Sequence, residues 1–279
     1  MMDEKAAENY QKLLRAPSYR VAYKDVEFLA SPTLRPMRMQ LELLKAELAL
    51  RDEGVASTIV VFGSTRIVEP ASAEELLQRA EARLADTPDD RRRQRAVARA
   101  KRVVAKCRYY EIARQFSELV SASCQVEGKC DYVVVTGGGP GIMEAANRGA
   151  FDVGAKSIGL NIRLPQEQKP NPYITPELCF QFHYFAMRKF HFLLRAKALV
   201  VFPGGFGTID EMFDALTLRQ TGRMQDIPII IFGREYWEKV IDFQYLADEG
   251  TIDDRDLDLF RFAESAKDAW EMIRQFHRH

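Results

Sequence analysis

Two carboxylates follow a glycine-rich turn in the segment PGGFGTIDE, residues 203–211. The turn ends an apolar run, and an apparently helical segment begins after it. Glycines between a strand and a helix let backbone N–H groups approach a phosphate, and the helix N-terminus adds a partial positive charge. A carboxylate at the same place would repel that phosphate. Asp210 and Glu211 must therefore face a different part of a ligand, or serve the helix alone.

Both acids also have a purely structural interpretation. A helix that starts near Thr208 would use Thr208 as its N-cap, and Glu211 would complete a capping box. Asp210 would then stabilise the positive first turn of the helix. In the functional interpretation, Glu211 lies beside the anomeric carbon of a sugar, where it stabilises oxocarbenium-like charge or activates a water. The phosphate would bind the glycines, which removes the repulsion.

Two further strand ends carry glycine-rich turns, GSTR at 63–66 and GGGPG at 137–141. In a doubly wound sheet, the loops at the carboxyl ends of the strands line one edge, and ligands bind there. GGGPG is not a dinucleotide fingerprint, which should close the first βα unit and precede an acidic residue on the next strand. It is not a Walker A loop either, because no Gly-Lys-Ser/Thr follows. Together the three turns favour a single phosphorylated ligand over packing alone.

The elements that would position these turns alternate between strand and helix along most of the chain. β-Branched and apolar runs predict strands within 57–66, 131–154, 155–165 and 226–233, an aromatic strand before residue 187, and a strand that ends in PGG. Helices are predicted over 71–120, 187–195 and 210–222 and near the C-terminus. Near-continuous apolar strands indicate a mostly parallel sheet covered on both faces, an α/β Rossmann-like doubly wound fold.

The N-terminal region is helical in character, and it is interrupted by Pro17, Pro32 and Pro36. Gly54 fits the C-cap of its last amphipathic helix. We therefore expect a helical N-terminal extension over 1–54 and a Rossmann-like nucleotide-binding catalytic domain over 55–279.

Composition excludes several classes of function. The 279 residues include 40 basic and 40 acidic side chains, and this balance argues against a dedicated nucleic-acid binder. The run Arg91–Arg93 is interpreted as the solvated start of a helix. Four cysteines without a CxxC pair indicate neither a zinc site nor a disulfide framework. The sequence pattern predicts neither a signal peptide nor a membrane span. We expect a cytoplasmic protein with no metal, no nucleic-acid partner and no membrane partner.

Three segments at these relative positions, GGGPGIMEAANRGA, MRK and PGGFGTIDE, resemble the LONELY GUY (LOG) family. Its members were long labelled lysine decarboxylases and are now understood largely as nucleotide phosphoribohydrolases. The element PGG-x-GT-x-x-E, with an Arg-Lys pair one helix upstream, is a specific signature, and the resemblance covers roughly residues 57 to 240. It implies a homodimer or higher homo-oligomer that cleaves a nucleoside 5′-monophosphate to free base and ribose 5-phosphate, with no metal or organic cofactor.

Carried over to this sequence, the resemblance implies that Arg188 and Glu211 are the catalytic pair. Phosphate and sugar contacts would come from the three turns. Arg66 and Lys189 join the predicted substrate-binding residues because of their positive charge and their position in the sequence. The predicted substrate-binding residues are Gly63, Ser64, Arg66, Gly137, Gly138, Gly139, Gly141, Lys189, Gly204, Gly205, Gly207 and Thr208. The N-terminal extension, the loop 160–174 and the helical insertion around 85–110 resemble the longer bacterial branch, for which AMP is as good a candidate substrate as a cytokinin riboside monophosphate.

A non-catalytic alternative fits the same turns. A carrier of a phosphorylated, nucleotide-like cofactor, such as a molybdenum-cofactor carrier, would share the fold, but the intact PGG-x-GT-x-x-E and Arg-Lys elements favour the enzyme. Lysine decarboxylation normally needs pyridoxal phosphate on a Schiff-base lysine. No lysine of this sequence has a recognisable setting for that chemistry.

Overall fold

The computed structural model describes residues 2–126, 128, 130–165 and 169–278. Residues 166–168, part of the loop that resembles the longer bacterial branch, lie outside the described residues. The chain forms two compact units, Met1–Lys45 and Ala46–His279. The domain boundary expected at residue 54 stays a prediction.

The first unit consists of short helices. Helix α1 (Glu4–Arg15) starts at Asp3, whose carboxylate accepts from the Ala6 N–H at 2.7 Å. Helix α2 (Val26–Ala30) follows two 3₁₀ turns, at 17–19 and 22–24. After a third such turn at 32–34, helix α3 (Arg35–Asp52) begins in this unit. The helical character predicted for the N-terminal region is confirmed.

Among the described residues, the second unit contains one sheet of seven strands, and every neighbouring pair is parallel. The order in the sheet is β4-β3-β2-β1-β5-β6-β7. The central strands are rich in valine and isoleucine and are buried along their length, as expected for a sheet that is covered on both faces. In chain order the strands are β1 (Thr58–Phe62), β2 (Val133–Thr136), β3 (Ser157–Ile162), β4 (Cys179–Phe182), β5 (Ala196–Val201), β6 (Ile229–Phe232) and β7 (Phe260–Ala263).

Helices cover both faces of the sheet. Alternate residues of β1 point into opposite cores: Val60 belongs to a buried cluster with Met212, whereas Ile59 belongs to a second cluster with Ala145. The predicted Rossmann-like, doubly wound fold is therefore confirmed. The helices are α4 (Pro70–Ala85), α5 (Arg91–Val104), α6 (Arg108–Cys124), α7 (Ile142–Asp152), α8 (Phe185–Leu194), α9 (Phe206–Gln220), α10 (Arg234–Val240), α11 (Phe243–Asp248) and α12 (Ala266–Phe276).

The structure differs from the sequence expectation at two elements. The helical stretch expected over 71–120 is three helices, because Asp90 caps a new helix by accepting from the N–H groups of Arg92 and Arg93. Strand β7 has no counterpart among the predicted strands. It lies at the edge of the sheet, where Ala263 is buried but Arg261 is exposed, so the strand lacks the continuous apolar run of a central strand.

The strand order reverses at β1. From β1 the chain adds β2, β3 and β4 on one side of the sheet, and then β5, β6 and β7 on the other. The carboxyl ends of β1 and β5 flank this switch point, where ligands bind in open α/β sheets. The turns at 63–66 and 203–205 follow β1 and β5, and the turn at 137–141 follows the neighbouring β2. The topology thus gathers the three predicted turns at one edge.

Candidate active site

The three turns meet at the main chain of Ser64. The Ser64 N–H donates to the Pro203 carbonyl at 3.1 Å, and the Ser64 carbonyl accepts from the Ile142 N–H at 3.1 Å. These bonds tie the turn after β1 to the turn after β5 and to the start of α7. Gly141 has a φ of +74°, and a Cβ there would lie 2.4 Å from the Ser64 carbonyl oxygen. Only glycine allows both the backbone conformation and the close approach.

The turn after β2 uses several of its own backbone groups internally. The Gly138 N–H donates to the Thr136 hydroxyl at 3.0 Å, and the Asn171 N–H donates to the Gly138 carbonyl at 2.9 Å. The side-chain amide of Asn171 donates to the Gly139 carbonyl at 3.1 Å and to Asn147 at 3.0 Å. These backbone groups belong to a buried polar network, which holds the turn in place.

Helix α9 begins at Phe206, with Gly205 as its N-cap and no side-chain cap. The N-cap interpretation of Thr208, and with it the capping box of Glu211, is therefore wrong. The helix starts earlier because the Thr208 N–H donates to the Gly205 carbonyl at 3.0 Å, which brings Thr208 into the first turn. A helix N-terminus without a side-chain cap leaves backbone N–H groups for another acceptor.

Glu211 lies near the start of α9, and only 8% of its surface is exposed. Burial raises the pKa of its carboxyl above the ordinary value, against the opposing effects of the Lys189 and Arg188 charges. One carboxylate oxygen lies 3.4 Å from Lys189 Nζ. A buried carboxylate with a raised pKa in a cleft is typical of a functional site.

Lys189 is surrounded by carboxylates. Its Nζ lies 3.0 Å from Asp210 and 3.5 Å from Asp214, in addition to its contact with Glu211. Burial works to lower the pKa of Lys189, but the hydrogen bond to Asp210 and the neighbouring charges outweigh it and raise the pKa. Lys189 is thus a stable cation that partly neutralises the acids of α9. The phosphate contact predicted for it stays a prediction.

Arg188 is fixed by groups from three elements. Its Nε donates to the Leu160 carbonyl of β3 at 2.8 Å, and its guanidinium carbon lies 5.1 Å from the centre of the Phe192 ring. A Cβ at Gly137 would lie 2.5 Å from a terminal guanidinium nitrogen, so this glycine makes room for the arginine. Burial works to lower the pKa of Arg188, while the charge of Glu211 works to raise it; the net shift is downward.

Arg188 and Glu211, the predicted catalytic pair, and most of the turn residues line one cavity of about 600 Å³. This volume lies within the range of roughly 300–1,000 Å³ that is usual for small-molecule sites. The predicted residues on its wall are Gly63, Ser64, Arg66, Gly137, Arg188, Gly205, Gly207, Thr208 and Glu211. The predicted residues away from its wall are Gly138, Gly139, Gly141, Lys189 and Gly204.

Several wall residues were not assigned a site role from the sequence. Phe185 and Phe206 are the first residues of α8 and α9, and they are 53% and 93% exposed. The sequence does not reveal that these two rings lie on the cavity wall, because the sequence pattern of an aromatic residue at a helix start is the same whether the ring faces a core or a cleft. Asn161, near the end of β3, lies on the wall. Asp210, interpreted as structural, lies there too.

The described residues offer neither a metal site nor a membrane-spanning helix. No group of three or more His, Cys, Asp and Glu side chains among the described residues could hold a metal ion. All four cysteines are free. None of the described helices combines the length and the apolar character that a bilayer span requires.

Residues 143–273 match the family model described as "Possible lysine decarboxylase". This description is the older label of the LOG family, so the resemblance seen in the sequence is confirmed. The match begins just after the turn at 137–141 and includes both Arg188 and Glu211. It supports a nucleotide-related function. No curated protein matches the sequence.

Solved structures of several other proteins resemble the chain, among them the following three. The molybdenum cofactor binding protein from the phototrophic bacterium Rippkaea orientalis is 18% identical, with a TM-score of 0.42, and the match covers 60% of this chain and 87% of that chain. The structural-genomics target TM1055 is 22% identical, with a TM-score of 0.47 and coverage of 78% and 99%. The Moco carrier protein from Chlamydomonas reinhardtii is 19% identical, with a TM-score of 0.43 and coverage of 60% and 86%. At these values none of the three helps to choose between functions.

Proposed function

Because residues 143–273 carry a LOG-family domain, we propose that the protein hydrolyses the N-glycosidic bond of a nucleoside 5′-monophosphate, such as AMP or a cytokinin riboside monophosphate. The products would be the free base and ribose 5-phosphate. The observation that carries this proposal is the position of Glu211. It is a buried carboxylate with a raised pKa on the wall of the cavity that the glycine turns border.

The 5′-phosphate would bind at the start of α9. Gly205, Gly207 and Thr208 line the cavity there, and no side chain caps the helix. Backbone N–H groups at such an N-terminus, together with the helix dipole, stabilise a bound anion. Lys189 partly neutralises Glu211, which reduces the repulsion between this carboxylate and the phosphate. Phosphate and carboxylate can therefore share one end of the helix.

The ribose would lie with its anomeric carbon, C1′, facing Glu211. As the N-glycosidic bond breaks, its electron pair leaves with the base, and positive charge develops on C1′ and the ring oxygen. The carboxylate stabilises this charge and accepts a proton from the attacking water, whose oxygen forms the new bond to C1′. Arg188 would orient the nucleotide and stabilise the negative charge on the departing base, which takes up a proton from solvent.

The base would lie against the apolar part of the wall. Met143, Phe185 and Phe206 provide this surface. Aromatic rings bind a planar base through offset or edge-to-face contacts, which depend little on the identity of the base. This arrangement fits AMP and other common nucleotides alike.

The variant Glu211→Gln tests the catalytic role. Glutamine keeps the size of the side chain but cannot carry charge or accept the proton of the water. We expect kcat for base release from AMP to fall about 10²–10⁴-fold. Free base and ribose 5-phosphate are measured over a panel of nucleoside monophosphates.

Asp214→Asn is the matched control. Asp214 also pairs with Lys189, but it does not line the cavity, so this variant should keep near wild-type turnover. Wild-type turnover by Glu211→Gln would remove Glu211 from the mechanism. If the wild-type protein binds nucleotides tightly but cleaves none of the panel, the result supports the non-catalytic carrier instead.

A further inference from the structure

A second, smaller cavity adjoins the proposed nucleotide site. Its volume is about 170 Å³, and it shares Ser64, Arg66 and Gly205 as wall residues with the larger cavity. Its volume is below the range of roughly 300–1,000 Å³ that a whole small-molecule ligand usually needs. A functional group of the same ligand is therefore a better occupant than a separate nucleoside.

The wall of the second cavity is strongly basic. Arg66, Arg102 and Lys106 line it, and none of its described wall residues is acidic. Arg102 lies in the last turn of α5, and Lys106 lies in the turn before α6. No carboxylate of the described residues forms an ion pair with any of the three cations. The rest of the wall includes Tyr236, whose hydroxyl donates to the Gly204 carbonyl at 2.7 Å.

The cations have a simpler structural explanation that must be weighed. Basic residues stabilise the C-terminal end of a helix, and Lys106 Nζ reaches the Arg102 carbonyl at 3.5 Å. That explanation does not require Arg66, which comes from a different element. Burial and the charge of Arg102 also lower the pKa of Lys106, whose side chain is only partly buried. A bound anion would offset the like charges of Arg66, Arg102 and Lys106.

We propose that this cavity binds a second phosphate group, and that the site therefore takes nucleoside 5′-diphosphates more tightly than monophosphates. The inference rests on the proposed function, because it places the first phosphate at the start of α9. The diphosphate would extend past Ser64, Arg66 and Gly205, which border both cavities. Its second phosphate would then contact Arg102 and Lys106. Arg66, at the junction, would contact both phosphates.

The test compares inorganic phosphate with pyrophosphate by isothermal titration calorimetry, with EDTA present to remove divalent cations. Neither probe contains a glycosidic bond, so the result does not depend on catalysis. We expect the wild-type protein to bind pyrophosphate about tenfold more tightly than phosphate, equivalent to about 1.4 kcal/mol. The double variant Arg102→Ala/Lys106→Ala should bind both probes with similar affinity.

The matched control is Arg95→Ala/Arg99→Ala. It removes the same amount of charge, from α5, but neither arginine lines the cavity. This control should keep the tenfold preference. Equal affinities in the wild-type protein would overturn the proposal, as would a preference that survives in Arg102→Ala/Lys106→Ala.

A second measurement uses nucleotides themselves. ADP and AMP are titrated into Glu211→Gln, in which turnover is expected to be slow. ADP should bind more tightly, and the added substitutions at positions 102 and 106 should remove the difference while leaving AMP binding unchanged. If Glu211→Gln proves fully active but the pyrophosphate preference holds, then the hydrolase assignment of Glu211 fails and the anion subsite stands.

Discussion

Glu211 is an energetically costly residue for the folded protein. Its carboxylate is largely removed from water, and the two neighbouring cations only partly compensate it, because the net effect is still a raised pKa. A carboxyl group whose pKa is raised by folding is less stable in its ionised form in the folded chain than in the unfolded chain. Such a cost is usual at positions that are kept for chemistry.

The variant Lys189→Met tests how the pKa of Glu211 is set. In the proposed mechanism the carboxylate form is active, so kcat/KM should rise with pH as Glu211 loses its proton. Lys189 is the first of the charges that lower the pKa of Glu211. Without Lys189 the pKa rises further, and the acidic limb of the pH–rate profile should move to higher pH. Initial rates with AMP over a pH series measure the shift.

The control for this shift is Lys239→Met, at the exposed end of α10 and away from the cavity. Its acidic limb should coincide with that of the wild-type protein. An unmoved limb in Lys189→Met would mean that another group controls the reaction at low pH.

Two glycines of the turn after β2 act on different elements. A Cβ at Gly137 would meet only the ends of the Arg188 and Met143 side chains, whereas a Cβ at Gly141 would meet the backbone of Ser64. Gly137→Ala should therefore displace Arg188 but keep the fold. We expect kcat/KM to fall about 10–100-fold, since a displacement of about 1 Å in an active site can cost 10²-fold, with little change in Tm.

Gly141→Ala is the contrasting variant. It places a side chain at a positive φ and against a backbone oxygen at 2.4 Å, so both Tm and activity should fall. Thermal melts and initial rates of the two variants separate the effects. An equal loss of Tm in both would contradict the assignment of Gly137 as the residue that makes room for Arg188.

The elements were predictable where the pattern was strong. Central strands such as β1 and β5 are continuous apolar runs, and each ends at a glycine turn, so their positions and the ligand edge followed from sequence. The start of α9 was not predictable. Threonine is a favourable N-cap residue, so the sequence pointed to Thr208, whereas Gly205 has no side chain that marks it as the N-cap. The network of Asn147 and Asn171 was also hidden, since it joins residues from separate segments.

At the scale of the whole molecule, charge is segregated although the total is zero. Residues 91–108 carry nine basic and no acidic side chains, so the rest of the chain carries an equal acidic excess. This segregation could not be inferred from the total charge, and it supplies two of the three cations of the second cavity, Arg102 and Lys106. The homodimer implied by the LOG resemblance stays a prediction at this scale.

Solubility should reflect this distribution. The sequence isoelectric point is about 6.9, and proteins near zero net charge associate readily. We expect a solubility minimum near neutral pH at low salt, which added salt relieves because it screens attraction between basic and acidic surfaces. Precipitation by polyethylene glycol over a pH series measures it. Arg95→Ala/Arg99→Ala should move the minimum to lower pH; a profile that does not change with pH would contradict the prediction.

The junction at Ser64 has a consequence for how such a site can evolve. Both of its ties, to Pro203 and to Ile142, are made by main-chain atoms. A mutation of the side chain at position 64, or of the exposed Phe206, leaves those two bonds in place. The two main-chain hydrogen bonds that hold the three turns together can thus be conserved while the side chains on the cavity wall change. Related proteins can therefore evolve to bind new ligands and still fold.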